Sequence, residues 1–205
     1  RLLGDEPFQF FEKFPSIQVA VAADRRNGIE QLLSLPEKPE VILLDDAFQH
    51  RKVKAGFYIL LTSYGDLYSD DCMLPTGNLR ETRSGAKRAD LIVVTKCPFD
   101  LSLDKQNDIR KRLKLSVNQQ LYFTFIAYDT FVYGEKQKVN INEIQSTVKV
   151  LVAGIAKPEP FFTYLKNTND VCLSFPDHHN FTEKDILEIT KTAQNNIIIT
   201  TEKDY

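Results

Sequence analysis

Short, wholly apolar runs separated by helix-length polar stretches constrain this chain more than any other feature. Val41-Ile-Leu-Leu44, Phe57–Leu61 and Leu91–Thr95 are strand-sized and scarcely alternate with polar residues. A strand wetted on one face alternates, whereas a strand covered on both faces does not, so these runs predict buried strands of a parallel sheet. Gln18–Ala22 is a further strand candidate. Helices are expected over Pro7–Phe14, with Asp5 as N-cap, over Asn27–Leu35, stopped by Pro36, and over the charged amphipathic stretch Leu101–Leu115. Alternating strands and helices of this kind build an open α/β sheet.

The texture changes after Gln120. Leu121–Tyr128 and Phe131–Tyr133, around Gly134, are expected to be paired extended segments. A second α/β unit then starts at Val148–Val152, turns at Gly154, and continues through helices Glu159–Lys166 and Thr182–Thr192 to a last strand, Ile197–Thr201. The expected organisation is a first domain over 1–120, a linker or hairpin over 121–147 and a smaller C-terminal α/β lobe over 148–205. The last strand is left free to pack back on the first domain.

Composition excludes several function classes. A net charge of −2 is too weak for a nucleic-acid binder that works through a basic field. Three cysteines, far apart and without CxxC spacing, give neither a zinc nor a disulfide framework. No apolar run approaches the roughly 20 residues of a membrane helix.

Four polar strings are placed where chemistry could occur. Asp45 and Asp46 follow the Val41–Leu44 run, at the carboxyl tip where open α/β sheets bind ligands. An aspartate there can serve magnesium and phosphate, or it can simply cap the next turn. Gly4-Asp5-Glu6-Pro7 puts two acids at a helix start, either aimed into a cleft or acting as an ordinary cap. Phe175-Pro-Asp177-His178-His179-Asn180 offers an acid–base pair or a plain surface turn. In an extended segment the two histidines point opposite ways, so one of them acts at most. Leu74-Pro75 through Arg80-Glu81 is a turn-rich loop whose Arg80 could fork onto phosphate or pair with Glu81. Lys87 and Arg88 read as solvated charges, and Lys203 reads as an exposed lysine at a sheet's carboxyl edge.

In chain order, these strings resemble the tetraacyldisaccharide 4′-kinases of lipid A synthesis. The resemblance also takes in Val21-Ala-Ala-Asp24-Arg25-Arg26, Ala153-Gly154-Ile-Ala-Lys157-Pro-Glu159-Pro-Phe161-Phe162 and Thr201-Glu202-Lys203-Asp204. It implies a P-loop NTPase-like, mostly parallel sheet, incomplete at its N-terminus, with the smaller C-terminal lobe. It implies ATP and Mg2+ as cofactors, with Asp45 and Asp46 as the acidic pair serving the metal. Asp5 would be the base on the sugar 4′-hydroxyl, and His178 its partner with Asp177 behind. Glu6, Gln49, His50 and Arg80 would surround nucleotide or lipid phosphate. The implied substrate is the lipid A disaccharide 1-phosphate, met at the cytoplasmic face of a Gram-negative inner membrane.

Two departures stand out. Ala47 occupies a position where the family string has glycine, and no GxxxxGK[ST] string occurs. The expectation is that this phosphate-cradling loop, with any membrane anchor, belongs upstream of Arg1 and that the chain alone is inactive. The competing readings are a metal-dependent phosphoesterase built on Asp45, Asp46 and Asp177-His178-His179, for which three histidines are a thin ligand supply, and a non-enzymatic binding module derived from a P-loop fold.

Overall fold

Two parallel three-stranded sheets organise the chain, one in each of two units, Arg1–Ala127 and Tyr128–Tyr205. The computed structural model describes residues 4–135 and 137–205, apart from the side chain of Asp5.

The first unit opens with two helices, α1 (Asp5–Lys13) and α2 (Arg25–Leu33). Gly4, at φ 84°, rather than Asp5, is the residue before the first turn of α1. A left-handed backbone suits glycine, which has no Cβ to clash. α2 starts where Asp24 accepts the Arg26 amide at 2.9 Å, so the aspartate of the Asp24-Arg25-Arg26 string works as a helix cap.

The sheet follows as β1 (Ile59–Ser63), β2 (Leu91–Thr95) and β3 (Gln120–Phe123), in that spatial order and all parallel. The central strand is fully buried on one face, with Ile92 and Val94 at 0% exposure. Leu91, Val93 and Thr95 on the other face are only partly covered, short of the two-sided burial expected. Each fully buried side chain is worth about 1.5–3 kcal/mol when withdrawn from water. α3 (Leu103–Leu113) contributes Ile109 and Leu113 to the same core, together with Leu67 and Ala89. Ser102 caps it by accepting the Lys105 amide, and Lys114 ends it in the left-handed conformation.

Two expected strands do not form. Gln18–Ala22 and Val41–Leu44 carry no ladder bonds, and Val41 and Leu43 are 73% and 89% exposed. Among the described residues no strand pairs with either. A strand is stable only when neighbours satisfy its amides and carbonyls, so an apolar run without them stays irregular. The Leu121–Tyr128 segment also departs from expectation: β3 joins β2 in parallel, and Phe131–Tyr133 pairs elsewhere.

In the second unit, an antiparallel hairpin of β4 (Phe131–Tyr133) and β5 (Lys138–Asn140) leads into the short α4 (Ile141–Gln145). The parallel sheet has β6 (Lys149–Ala153) at its centre, flanked by β7 (Val171–Ser174) and β8 (Ile197–Thr200). β8, placed by sequence in the C-terminal lobe with the option of packing back on the first domain, lies beside β6. α6 (Glu183–Ala193) covers one face through Ile189 and Ala193 against Val150 and Val152. α4 and α5 (Glu159–Leu165) cover the other, where Ile141, Ile144 and Leu165 meet Leu151 and Ile199. Neither β7 nor α4 was read from the sequence.

All five residues of β6 are buried, including Lys149. Its Nζ lies 2.7 Å from Asp170 Oδ2, both side chains at 0% exposure. Burial works against the Asp170 charge, but hydrogen bonds from the Lys149 ammonium and from the Asn167 and Lys149 amides outweigh it, so its carboxyl sits below the ordinary range. No helix among the described residues is long and apolar enough to cross a membrane.

Candidate functional site

Asp45 and Asp46 sit on an exposed turn rather than at a strand tip. Asp45 Oδ1 accepts the Asp46 amide at 3.0 Å, and Asp46 takes φ 43°, a left-handed conformation that aspartate tolerates better than most residues. Ala47 carries no positive φ, so its replacement of glycine costs the backbone nothing at this turn. The turn closes when the His50 amide donates to Ala47 O at 2.9 Å. His50 Nε2 is buried without a hydrogen-bond partner, whereas Gln49 is exposed. Such an orphaned polar atom calls for a ligand or water to complete it.

A second loop is stapled to this turn. Arg80 Nη1 lies 3.7 Å from Asp46 Oδ2, an exposed pair, so Arg80 faces the acidic turn and not Glu81. Glu81 instead receives a fork from Arg88 at 2.6 and 2.9 Å and a third bond from Arg51 at 2.8 Å. The Arg88 fork, seconded by Arg51, holds the Glu81 carboxyl below its ordinary range. Arg88 is thus no solvated charge. Its guanidinium lies 4.8 Å from the centre of the Phe48 ring and also donates to Phe48 O, tying the loop to the residue two places after Asp46. Gly85 makes room for this, since a Cβ there would stand 2.5 Å from Glu81 Oε2. Sequence reasoning missed Arg88 because a Lys87-Arg88 pair carries no information about which carboxylate lies within reach.

In the second unit the histidines separate cleanly. His179 Nε2 lies 3.0 Å from Asp185 Oδ2, and its ring stacks on Phe175 and meets Phe181 edge-on. Asp185 also closes a capping box with Thr182 at the start of α6. Hydrogen bonds from the Thr182 amide and hydroxyl, then from His179, bring its carboxyl down to about 2. His179 is therefore absorbed in the helix cap. His178, one residue earlier, takes φ 56° and stays half exposed, with its Nε2 3.7 Å from Asp177 Oδ2. Asp177 Oδ1 accepts Lys203 Nζ at 3.0 Å, and this ammonium holds the Asp177 carboxyl below its usual range. Lys203, expected to be exposed, is only 22% so along its side chain.

The chain matches the family model described as tetraacyldisaccharide-1-P 4′-kinase over residues 1–205. The chain belongs to this 4′-kinase family. A tetraacyldisaccharide 4′-kinase of Flavobacterium johnsoniae is 66% identical over 204 residues, covering 100% of this chain and 60% of the relative. That of Flavobacterium psychrophilum is 63% identical over 206 residues, with the same coverages. A tetraacyldisaccharide 4′-kinase of Bacteroides thetaiotaomicron is 46% identical over 227 residues, covering 100% of this chain and 58% of the relative. The chain thus spans about 60% of the length of these curated relatives. No solved structure matches it.

Of the residues singled out in this chain, the fold brings Arg80 to Asp46 and Asp177 to His178 and Lys203. Glu6 is exposed in the first turn of α1. The Asp5 side chain lies outside the described residues. No group of three or more His, Cys, Asp or Glu side chains suited to a metal ion gathers among the described residues. Two carboxylates are nevertheless what a magnesium ion commonly takes from protein, with phosphate oxygens and water filling the octahedron. Asp45 and Asp46 have the hard oxygen donors for that role, on a turn open to solvent.

Proposed function

We propose that the protein of which this chain is part transfers the γ-phosphoryl group of ATP to the 4′-hydroxyl of a tetraacyl disaccharide 1-phosphate. The step belongs to lipid A synthesis, at the cytoplasmic face of a Gram-negative inner membrane. The observation that carries this reading is the family match along all 205 residues; the acidic turn and the Asp177-His178 turn, each held by its own contacts, are compatible with it.

Phosphoryl transfer asks little covalent chemistry of a protein, so positioning and charge compensation dominate. Asp45 and Asp46 would hold Mg2+, which neutralises charge on the phosphate oxygens. Arg80, already facing that turn, is suited to a phosphate oxygen, and Glu6, Gln49 and His50 belong around nucleotide or lipid phosphate. A sugar hydroxyl is a weak nucleophile, and Asp5 accepts its proton as the phosphoryl group moves. The same reading gives His178, with Asp177 beside it, the supporting role in that proton transfer. His179 is engaged by Asp185 at the α6 cap, whereas His178 lies beside Asp177, which favours His178 for this role. The first unit is read as part of a P-loop NTPase-like sheet, with the phosphate-cradling loop supplied by sequence beyond this chain.

The test is ATP-dependent phosphorylation of the tetraacyl disaccharide by the full-length protein, by its Asp5→Ala and His178→Ala variants, and by this chain alone. Magnesium-dependent product that falls by orders of magnitude in both variants supports the reading. Product undiminished in both variants sinks the assigned roles, no product from the full-length protein sinks the kinase reading, and turnover by this chain alone sinks its expected inactivity.

A further inference from the structure

One built feature of the second unit is left unused by these roles, the Thr201-Glu202-Lys203-Asp204 turn beyond β8. Asp204 Oδ2 accepts the Gly154 amide at 2.8 Å and the Thr201 hydroxyl at 2.7 Å, and the Asp204 amide closes the turn on Thr201 O at 3.1 Å. Gly154 directly follows the central strand, so this carboxylate bolts the turn to the end of the most buried element of the unit. The fit is close: a Cβ at Gly154 would stand 3.0 Å from Asp204 Oδ1 and 3.5 Å from the Phe181 ring. The bolt fixes where the next side chain points. Lys203 Nζ reaches Asp177 Oδ1 at 3.0 Å, and the same Asp177 oxygen accepts the His178 amide at 3.1 Å. A continuous path therefore runs from β6 through Gly154, Asp204, Lys203 and Asp177 to His178.

We propose that Lys203 is a positioning residue for His178: anchored by Asp204 on Gly154, it grips Asp177 and so sets the left-handed His178 turn. The inference rests on the reading that His178 takes part in phosphoryl transfer. His178 needs such support because φ 56° is costly for a residue other than glycine and persists only where neighbours impose it. An alternative role for a lysine at a sheet's carboxyl edge is direct phosphate contact. Here the ammonium is already matched by a carboxylate at hydrogen-bond distance, which favours the positioning role.

The full-length protein with Lys203→Met, Lys203→Arg, His178→Ala and the Lys203→Met, His178→Ala pair separates these cases. Lys203→Met should lower kcat about tenfold with the KM for ATP within about twofold, and Lys203→Arg should recover most of the loss. In the His178→Ala background, Lys203→Met should change kcat by less than about twofold, because its effect passes through the missing ring. The His178 ring proton resonance, assigned by its loss in His178→Ala, should shift in Lys203→Met while the melting temperature holds. Equal losses in both backgrounds, or a raised KM for ATP, would overturn the proposal in favour of phosphate contact. An unmoved His178 resonance or an unchanged kcat in Lys203→Met also overturns it while leaving the role of His178 standing. Full activity in His178→Ala removes the underlying reading and this inference together.

Discussion

Replacing Asp170 by Asn tests how the second unit is held together. The Asp170 carboxylate takes three bonds, from Lys149 Nζ at 2.7 Å, the Lys149 amide at 3.0 Å and the Asn167 amide at 2.8 Å. An asparagine has one acceptor oxygen and cannot serve all three donors. Its NH2 would also confront an amide or the ammonium. Lys149 would then keep only Gln145 O at 3.4 Å and Thr147 O at 3.3 Å, with its charge buried and uncompensated. Breaking a buried pair from one side costs about 3–5 kcal/mol. Lys149→Met alone should cost less, about 2–3 kcal/mol, because Asp170 retains two amide donors. The double variant should fall short of the summed losses by at least about 2 kcal/mol, since the orphaned charge is gone. Hydrogen exchange of peptides covering β6 and β7, in the full-length protein, reads the local opening free energy without assuming that the whole protein unfolds in one step. The pH dependence has a fixed sign. A depressed folded-state pKa stabilises above the unfolded aspartate value, about 3.9, and the advantage disappears as pH falls through the folded value. An Asp170→Asn loss below about 1 kcal/mol, or strict additivity in the double variant, would refute the reasoning.

Two further outcomes follow from particular contacts. Thr182→Ala should destabilise α6 by about 1 kcal/mol; with Asp185 held at about 2, the helix-start contribution should be complete above about pH 4 and fade as pH falls through 2, a transition absent from the circular dichroism of Asp185→Asn. Gly85→Ala should push Glu81 off its arginine fork and speed tryptic cleavage at Arg80 and Arg88 about tenfold, and an unchanged digestion rate would show that the fork does not hold the loop.

The helices were legible because their causes are local. α2 begins at a capping aspartate, α3 at Ser102 and α6 at the Thr182–Asp185 box, and each boundary fell within about two residues of the sequence reading. The central strands β2 and β6 were legible as apolar runs of strand length, but two-sided burial holds for β6 alone, since β2 is fully buried on one face and partly on the other. The candidate site was legible only as strings: Asp45-Asp46, Arg80 and Asp177-His178 are composition and order, and the family match spans them all.

Pairing and division of labour were decided only by tertiary structure. Val41–Leu44 has the composition of a buried strand, yet a strand exists only where a neighbour supplies bonding partners, and that is not a property of the run itself. β3 and β4 lie close in sequence and were expected to pair, but each found a partner in a different unit. His178 and His179 are the same residue type side by side. An extended segment would point them opposite ways, but His178 sits in a left-handed turn, and which of them is spent on Asp185 depends on where α6 begins in space. Arg88 and Lys203 read as surface charges until the fold set carboxylates within reach of them. The sequence determined which residues were present and where helices could start, because caps and periodicity act within a few residues. The fold alone decided which charges meet, because those distances depend on contacts between residues far apart in the chain.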